Sequence, residues 1–174
     1  MGSEKDGKVA TTPGVRFDHP CAATITVLDG QNAVVKVTPR REKVAIVGFA
    51  SPTRMGAPWD DASWEIWGLN QLYRHVYRAD RWFEMHKNWN EHVVDGTDHA
   101  KWLTECQIPV YMTEYHQEFP NCCKYPMQTM LDEFGDYFTS SIAFMLALAI
   151  KEGFKEIAIF GIDMIVGTEY FEQK

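Results

Sequence analysis

The chain predicts an α/β fold: a Rossmann-like three-layer sandwich on a mostly parallel sheet, preceded by a β-hairpin. Three observations lead there. From Lys43 onward, short apolar runs alternate with longer amphipathic segments, the rhythm of strand–helix–strand units. The first run, KVAIVGFA, is apolar and β-branched without interruption, as a strand covered on both faces requires. The stretch SSIAFMLALAIKEGFKEIAIFGID, Ser140 to Asp163, reads as a helix followed by a strand, with Gly153 supplying the left-handed residue that stops the helix.

Taken in order, residues 1–20 are polar and glycine-rich and read as a flexible tail without a signal-peptide pattern. Residues 21–40 contain ATITVLDGQNAVVKVTP, which alternates apolar and polar on both sides of Asp29-Gly30, a dipeptide suited to a hairpin turn. A lone hairpin is marginal in water, so this one is expected to pack on the main domain or to bridge to a second subunit. Residues 41–174 then form the Rossmann-like domain. Its strands are read in KVAIVGFA, SWEIWGLN, ADRWFEMH, IPVYMTEY and EIAIFGID, and its helices around Leu72–Tyr77, Asp98–Cys106 and Ser141–Glu152. The last helix is apolar on nearly every face and is expected to be buried. A sheet of this kind rarely ends with its active-site loop unanchored, so the native chain is expected to continue past Lys174.

Composition narrows the function. Of 174 residues, 45% are hydrophobic and 24% charged, an ordinary globular balance. The net charge is -7 and the basic residues form only short clusters such as Arg40, Arg41 and Lys43, which argues against a nucleic-acid duplex as partner. The longest apolar run, Ile142 to Ile150, falls far short of the ~20 residues of a membrane span. Cys21, Cys106, Cys122 and Cys123 lack the paired spacing of a zinc site and read as reduced thiols of a cytoplasmic protein.

Open parallel sheets bind ligands beyond the carboxyl ends of their strands, and here those ends are polar. The first strand runs into GFASPTRMG, where Gly48 permits close approach, Ser51 and Thr53 offer hydroxyls and Arg54 offers a charge for a phosphate. The loop matches neither the dinucleotide fingerprint nor a P-loop. The second strand ends at Asn70 and Gln71, the third at Glu84 and His86, the fourth at Glu114 and His116, and the fifth at Asp163. His86 and His116 have the chemistry of a general base. Ser140 and Ser141 open the apolar helix as caps, as anion ligands, or as both. Asp163 has three uses open to it: holding Mg2+, contacting a ribose, or capping its loop. The tryptophans read mostly as core, and Trp59, in the first loop, has stacking on a base as a second use open to it.

These segments resemble a known group. SSIAFMLALAIKEGFKEIAIFGID is similar to a segment of bacterial CMP-sialic-acid-dependent sialyltransferases of the single-Rossmann type and of the related 6-hydroxymethylpterin diphosphokinase-like proteins; upstream, KVAIVGFASPTR occupies the place of their first strand and nucleotide-binding loop, GLNQLYR after it resembles a sialyltransferase stretch, and phage-encoded proteins carry similar sequences. The resemblance covers roughly residues 43–174, and only the last segment is specific. It implies a nucleotide contact for Asn70, a ribose or phosphate contact for Ser141, first-loop contacts for Gly48 and Ser51, and stabilisation of the departing phosphate by Tyr170. The chain departs from the sialyltransferases in its first loop, FAS in place of glycine and asparagine, and at Ile142 in place of glycine. The family's catalytic histidine lies beyond the Gly-Ile-Asp loop, in a region absent from this sequence.

The expected function is therefore that of a nucleotide-binding, glycosyltransferase-like enzyme with a nucleotide-linked donor, His86 or His116 serving as base. One alternative is a diphosphokinase-like transferase dependent on Mg2+, with Asp163 as first candidate ligand and Glu84 and Glu114 behind it. The other is a non-catalytic binding or assembly module that keeps the fold. A homo-oligomer assembled through the hairpin is also expected.

Overall fold

The computed structural model describes residues 41–90, 98–136 and 138–162. The hairpin expected within 21–40, Asp163 and Tyr170 lie outside the described residues. The described residues belong to one unit. Six strands, β1 (Lys43–Val47), β2 (Trp64–Leu69), β3 (Arg81–Glu84), β4 (Val110–Met112), β5 (Cys122–Lys124) and β6 (Glu156–Phe160), form one sheet in the order β5-β4-β3-β2-β1-β6. Every neighbouring pair is parallel. The chain thus walks outward from β1 to β5, then returns through a helix to lay β6 on the other side of β1. The strand order reverses between β1 and β6.

β1 carries Val44–Val47 fully buried, which is why its sequence shows no alternation. Between the strands lie α1 (Ser51–Arg54), a 3-10 turn (Asn70–Arg74), α2 (His99–Glu105), α3 (Met127–Phe134) and α4 (Ser141–Lys151). The expected helix at Leu72–Tyr77 is this 3-10 turn, shifted toward β2. Alternate residues of β3 divide the core. Trp82 and Glu84 face α2, through Trp102 and His99, whereas Arg81 and Phe83 face the other layer with Trp67, Tyr111 and Phe154. α4 lies in that second layer, packed on β1, β3 and α3.

α4 starts at Ser140, whose extended backbone and side chain cap the first turn by accepting from Ala143 N at 3.4 Å. It stops at Gly153, whose φ of 76° is in the region glycine enters freely. The helix is less enclosed than its composition implies: Met145, Ala147, Leu148 and Ala149 are buried, while Ile150 is 50% exposed. β5 and α3 have no counterpart in the sequence reading. β5 is three residues of an edge strand, Cys-Cys-Lys, too short to show a period; α3 follows Pro126 and alternates apolar with polar residues at helical spacing. Among the described residues, no helix is long and apolar enough to cross a membrane.

Candidate functional site

The carboxyl edge of the sheet gathers the expected residues unevenly. At the reversal point the β1 and β6 tips close on each other. Gly48 N donates to Phe160 O at 2.8 Å and Ala50 N to Gly161 O at 2.8 Å. A methyl group on Gly48 would fall 2.5 Å from the Gly161 carbonyl oxygen, and one on Gly161 2.4 Å from that of Gly48, where φ is already 68°. The close approach that Gly48 permits is thus made by the chain itself. Thr53 Oγ1 accepts from Gly161 N at 3.1 Å and Arg54 donates to Phe49 O, so both brace this loop. Ser51 stands exposed in the first turn of α1. Trp59 donates to Arg54 O at 3.2 Å and leans on Tyr77.

The adjoining strands present a different surface. The register Leu69↔Phe83 sets Asn70 beside Glu84 at the tips of β2 and β3. Asn70 has φ 48°, the left-handed region in which asparagine is the commonest residue after glycine. Its main-chain oxygen accepts from Trp82 Nε1 at 2.9 Å, and its side-chain Oδ1 is buried without a hydrogen-bond partner. A buried acceptor without a donor costs about 1–3 kcal/mol, so it marks a place where a donor is wanted. Gln71 follows, buried in the 3-10 turn.

Glu84 is only 2% exposed and is clasped by two imidazoles. Its Oε1 lies 2.6 Å from His86 Nδ1, and its Oε2 3.0 Å from His99 Nε2. His99, also 2% exposed, reaches the Tyr73 hydroxyl through Nδ1 at 3.2 Å and stacks with Tyr73, which in turn stacks on Trp102 at 4.2 Å. Burial pushes the Glu84 carboxyl up, but the hydrogen bonds from His86 and His99, and their charge, outweigh it and hold the group below its ordinary value. His86 is pushed up by its hydrogen bond to Glu84, against the opposing effect of burial and with the help of the carboxylate charge. With 35% of its side chain exposed, His86 joins the buried carboxylate to the solvent edge.

His116 sits apart, 3.2 Å from Glu118 and against Phe119, which meets Trp89 edge-on. Glu114 is surface-exposed and paired with Lys124 at 2.6 Å. Those two line a pocket of about 550 Å³ at the β4 and β5 tips, together with Thr113, Tyr125 and the start of α3. Ser140 is exposed and Ser141 half-buried at the same edge of the sheet, but over the α4 face, opposite the Glu84 cluster.

Mg2+ prefers several oxygen ligands in an open octahedron. Glu84 has both oxygens engaged by imidazoles and Glu114 is ion-paired, so neither fits that role; among the described residues no group of three or more His, Cys, Asp or Glu side chains is arranged to hold a metal. Cys106 and Cys122 are buried free thiols pushed up by that burial, unsuited to nucleophilic work.

His99 and Tyr73 escape a sequence reading, because each is an ordinary residue of a helical turn. One signal was available: His99 and Leu103, four apart, share the buried face of α2. Compared with protein-family models, curated proteins and solved structures, the chain matches none.

Proposed function

We propose that the chain is a nucleotide-binding enzyme of the glycosyltransferase type, using a nucleotide-linked donor, with His86 as general base. The observation that carries this reading is the Glu84–His86 pair: a buried carboxylate 2.6 Å from a half-exposed imidazole at the carboxyl edge of a parallel sheet. Asn70 Oδ1, buried where the 3-10 turn begins after β2, is an acceptor suited to an N–H of a base or a hydroxyl of a ribose. In this reading His86 Nε2 takes the proton of the acceptor hydroxyl. The acceptor oxygen then bonds to the anomeric carbon, whose bond to the donor phosphate breaks with its electron pair. Glu84 stabilises the imidazolium so formed.

A panel of CMP, UDP, ADP and GDP, and their sugar conjugates, measured by thermal shift with and without Mg2+, tests the reading. One nucleotide is expected to raise Tm, and Asn70→Ala to cancel the rise. With the matching conjugate, His86→Gln is expected to lower turnover on the order of a hundredfold. Stabilisation that appears only with Mg2+ would turn the reading toward diphosphate transfer. No stabilisation by any ligand would favour the non-catalytic module, the reading supported by the closed β1 and β6 tips, where Gly48 and Thr53 are taken up by Gly161.

A further inference from the structure

Four side chains from three elements form one hydrogen-bonded line: Tyr73 of the 3-10 turn, His99 of α2, Glu84 of β3 and His86 just beyond it. Proton counting gives the line a direction. A carboxylate only accepts, so each imidazole turns an N–H toward Glu84: Nε2–H from His99 and Nδ1–H from His86. A neutral His99 with its proton on Nε2 has a lone pair on Nδ1, so the Tyr73 hydroxyl must donate there. A neutral His86 with its proton on Nδ1 has its basic lone pair on Nε2. Free imidazole side chains favour the opposite tautomer, so the arrangement at His86 is imposed by Glu84.

We propose that His99 and Tyr73 are positioning residues for His86. His99 occupies one carboxylate oxygen and so fixes the Glu84 side chain, leaving the other oxygen to hold the His86 ring with Nε2 as the basic atom; the Tyr73 hydroxyl fixes the tautomer of His99. Burial supports this division of labour. His99 and Glu84 have side chains 1% and 2% exposed and are closed off from water, while the His86 side chain is 35% exposed and open enough to exchange a proton with a substrate or with water. Tyr73 lies parallel to both rings, its centroid 4.2 Å from that of Trp102 and 5.6 Å from that of His99, and the Trp102 stack holds the ring that carries the hydroxyl. This inference deepens the proposed function and rests on it for the identity of the base.

Long-range 15N NMR of the full chain above pH 8 reads the tautomers directly. The expected result is Nδ1–H for His86 and Nε2–H for His99. His99→Leu should move His86 toward the ordinary tautomer mixture, and His99→Gln, whose amide restores a donor to Glu84, should return it. Tyr73→Phe, which removes one oxygen and keeps the stack, should shift the His99 Nδ1 resonance toward that of an unbonded acceptor; it keeps the test alive if His99→Leu does not fold. In turnover, His99→Leu is expected to lower kcat about tenfold with KM unchanged, and His99→Gln to recover most of it. His99 found as Nδ1–H, or a His86 tautomer indifferent to His99→Leu, would overturn the inference. The expected tautomers in a chain that binds no nucleotide would overturn the proposed function and leave the hydrogen-bonded line standing.

Discussion

Strand β3 is four residues long and buries an ion at each end. At its amino end, on the α4 face, Arg81 is 6% exposed, 2.9 Å from Glu65 and 2.7 Å from Glu152, with its guanidinium 4.8 Å from the centre of the Trp67 ring. At its carboxyl end, on the α2 face, Glu84 meets His86 and His99. Both ions are satisfied, but by partners of different kinds. Arg81 is held by carboxylates, and although burial acts against its charge, the Glu152 hydrogen bond and the negative groups around it raise its pKa further, so it stays charged at any working pH. Glu84 is held by imidazoles, the side chains that change charge near neutrality. The same strand therefore carries a fixed ion at the edge away from the strand tips and a titratable one at the edge where parallel sheets bind ligands.

Removing the fixed ion should give the largest effect. Arg81→Ala takes the buried guanidinium away from Glu65 and Glu152, each 13% exposed, and breaking one side of a buried ion pair costs about 3–5 kcal/mol. Urea unfolding is expected to show that loss with the same size at pH 5.5 and 8.5. Replacing all three by apolar residues of similar volume should recover most of it, because the cost lies in the unanswered charges. A loss that varies strongly with pH would break the contrast drawn between the two ends.

At the other end the loss should be smaller and should depend on pH. Glu84→Gln keeps the side-chain volume and one acceptor, and His86 can become neutral, so a cost of about 1–3 kcal/mol is expected. The sign follows from the two shifts. His86 is raised, so its contribution is whole below its ordinary value of 6.5 and fades as pH rises through its folded-state midpoint. Glu84 is lowered, so its contribution is whole above its ordinary 4.5 and fades as pH falls through its folded-state midpoint. Between these ordinary values both are complete. The difference between wild type and Glu84→Gln should accordingly be greater at pH 5.5 than at pH 8.5, and equal differences at the two would remove the titratable character assigned to this end.

The two ends were unequally legible in the sequence. β1, β2, β3 and β4 are visible as apolar runs because a strand covered on both faces has no polar side to hide it; β6 shows the same kind of run at the sheet edge, with Ile159 47% exposed, and the polarity at the carboxyl ends marks His86 and Glu84 as candidates. Arg81 and Glu84 look alike as charges at the borders of one run, ADRWFEMH; nothing local says that Glu65 and Glu152 answer the first and His99 the second. Those partners lie 16, 71 and 15 residues away in sequence and meet only through the strand order. Glu84 was read as a metal ligand for the same reason, since its imidazole partners come from packing. In the sequence Gly48 offers room for a phosphate or ribose, because the Gly161 carbonyl that fills the room arrives after β6, more than a hundred residues later.

The smallest effect sharpens the comparison by holding charge and location while changing burial. Glu114 stands two residues beyond β4, and β4 is paired in register with β3 so that Glu84 lies opposite Met112. It too has a cationic partner close by, Lys124 at 2.6 Å, but its side chain is 67% exposed and that of Lys124 56%. The Lys124 hydrogen bond and charge lower the Glu114 carboxyl, as the imidazoles lower Glu84. Water already solvates both members, and ordering two long side chains offsets what the pair gains. Glu114→Gln is therefore expected to leave the urea midpoint and Tm unchanged within error at both pH 5.5 and pH 8.5, in the same measurements that separate Glu84→Gln from wild type. A loss at Glu114 comparable to that at Glu84 would mean that any carboxylate at this edge matters, and burial would no longer explain the difference between Glu84 and its neighbour one strand away.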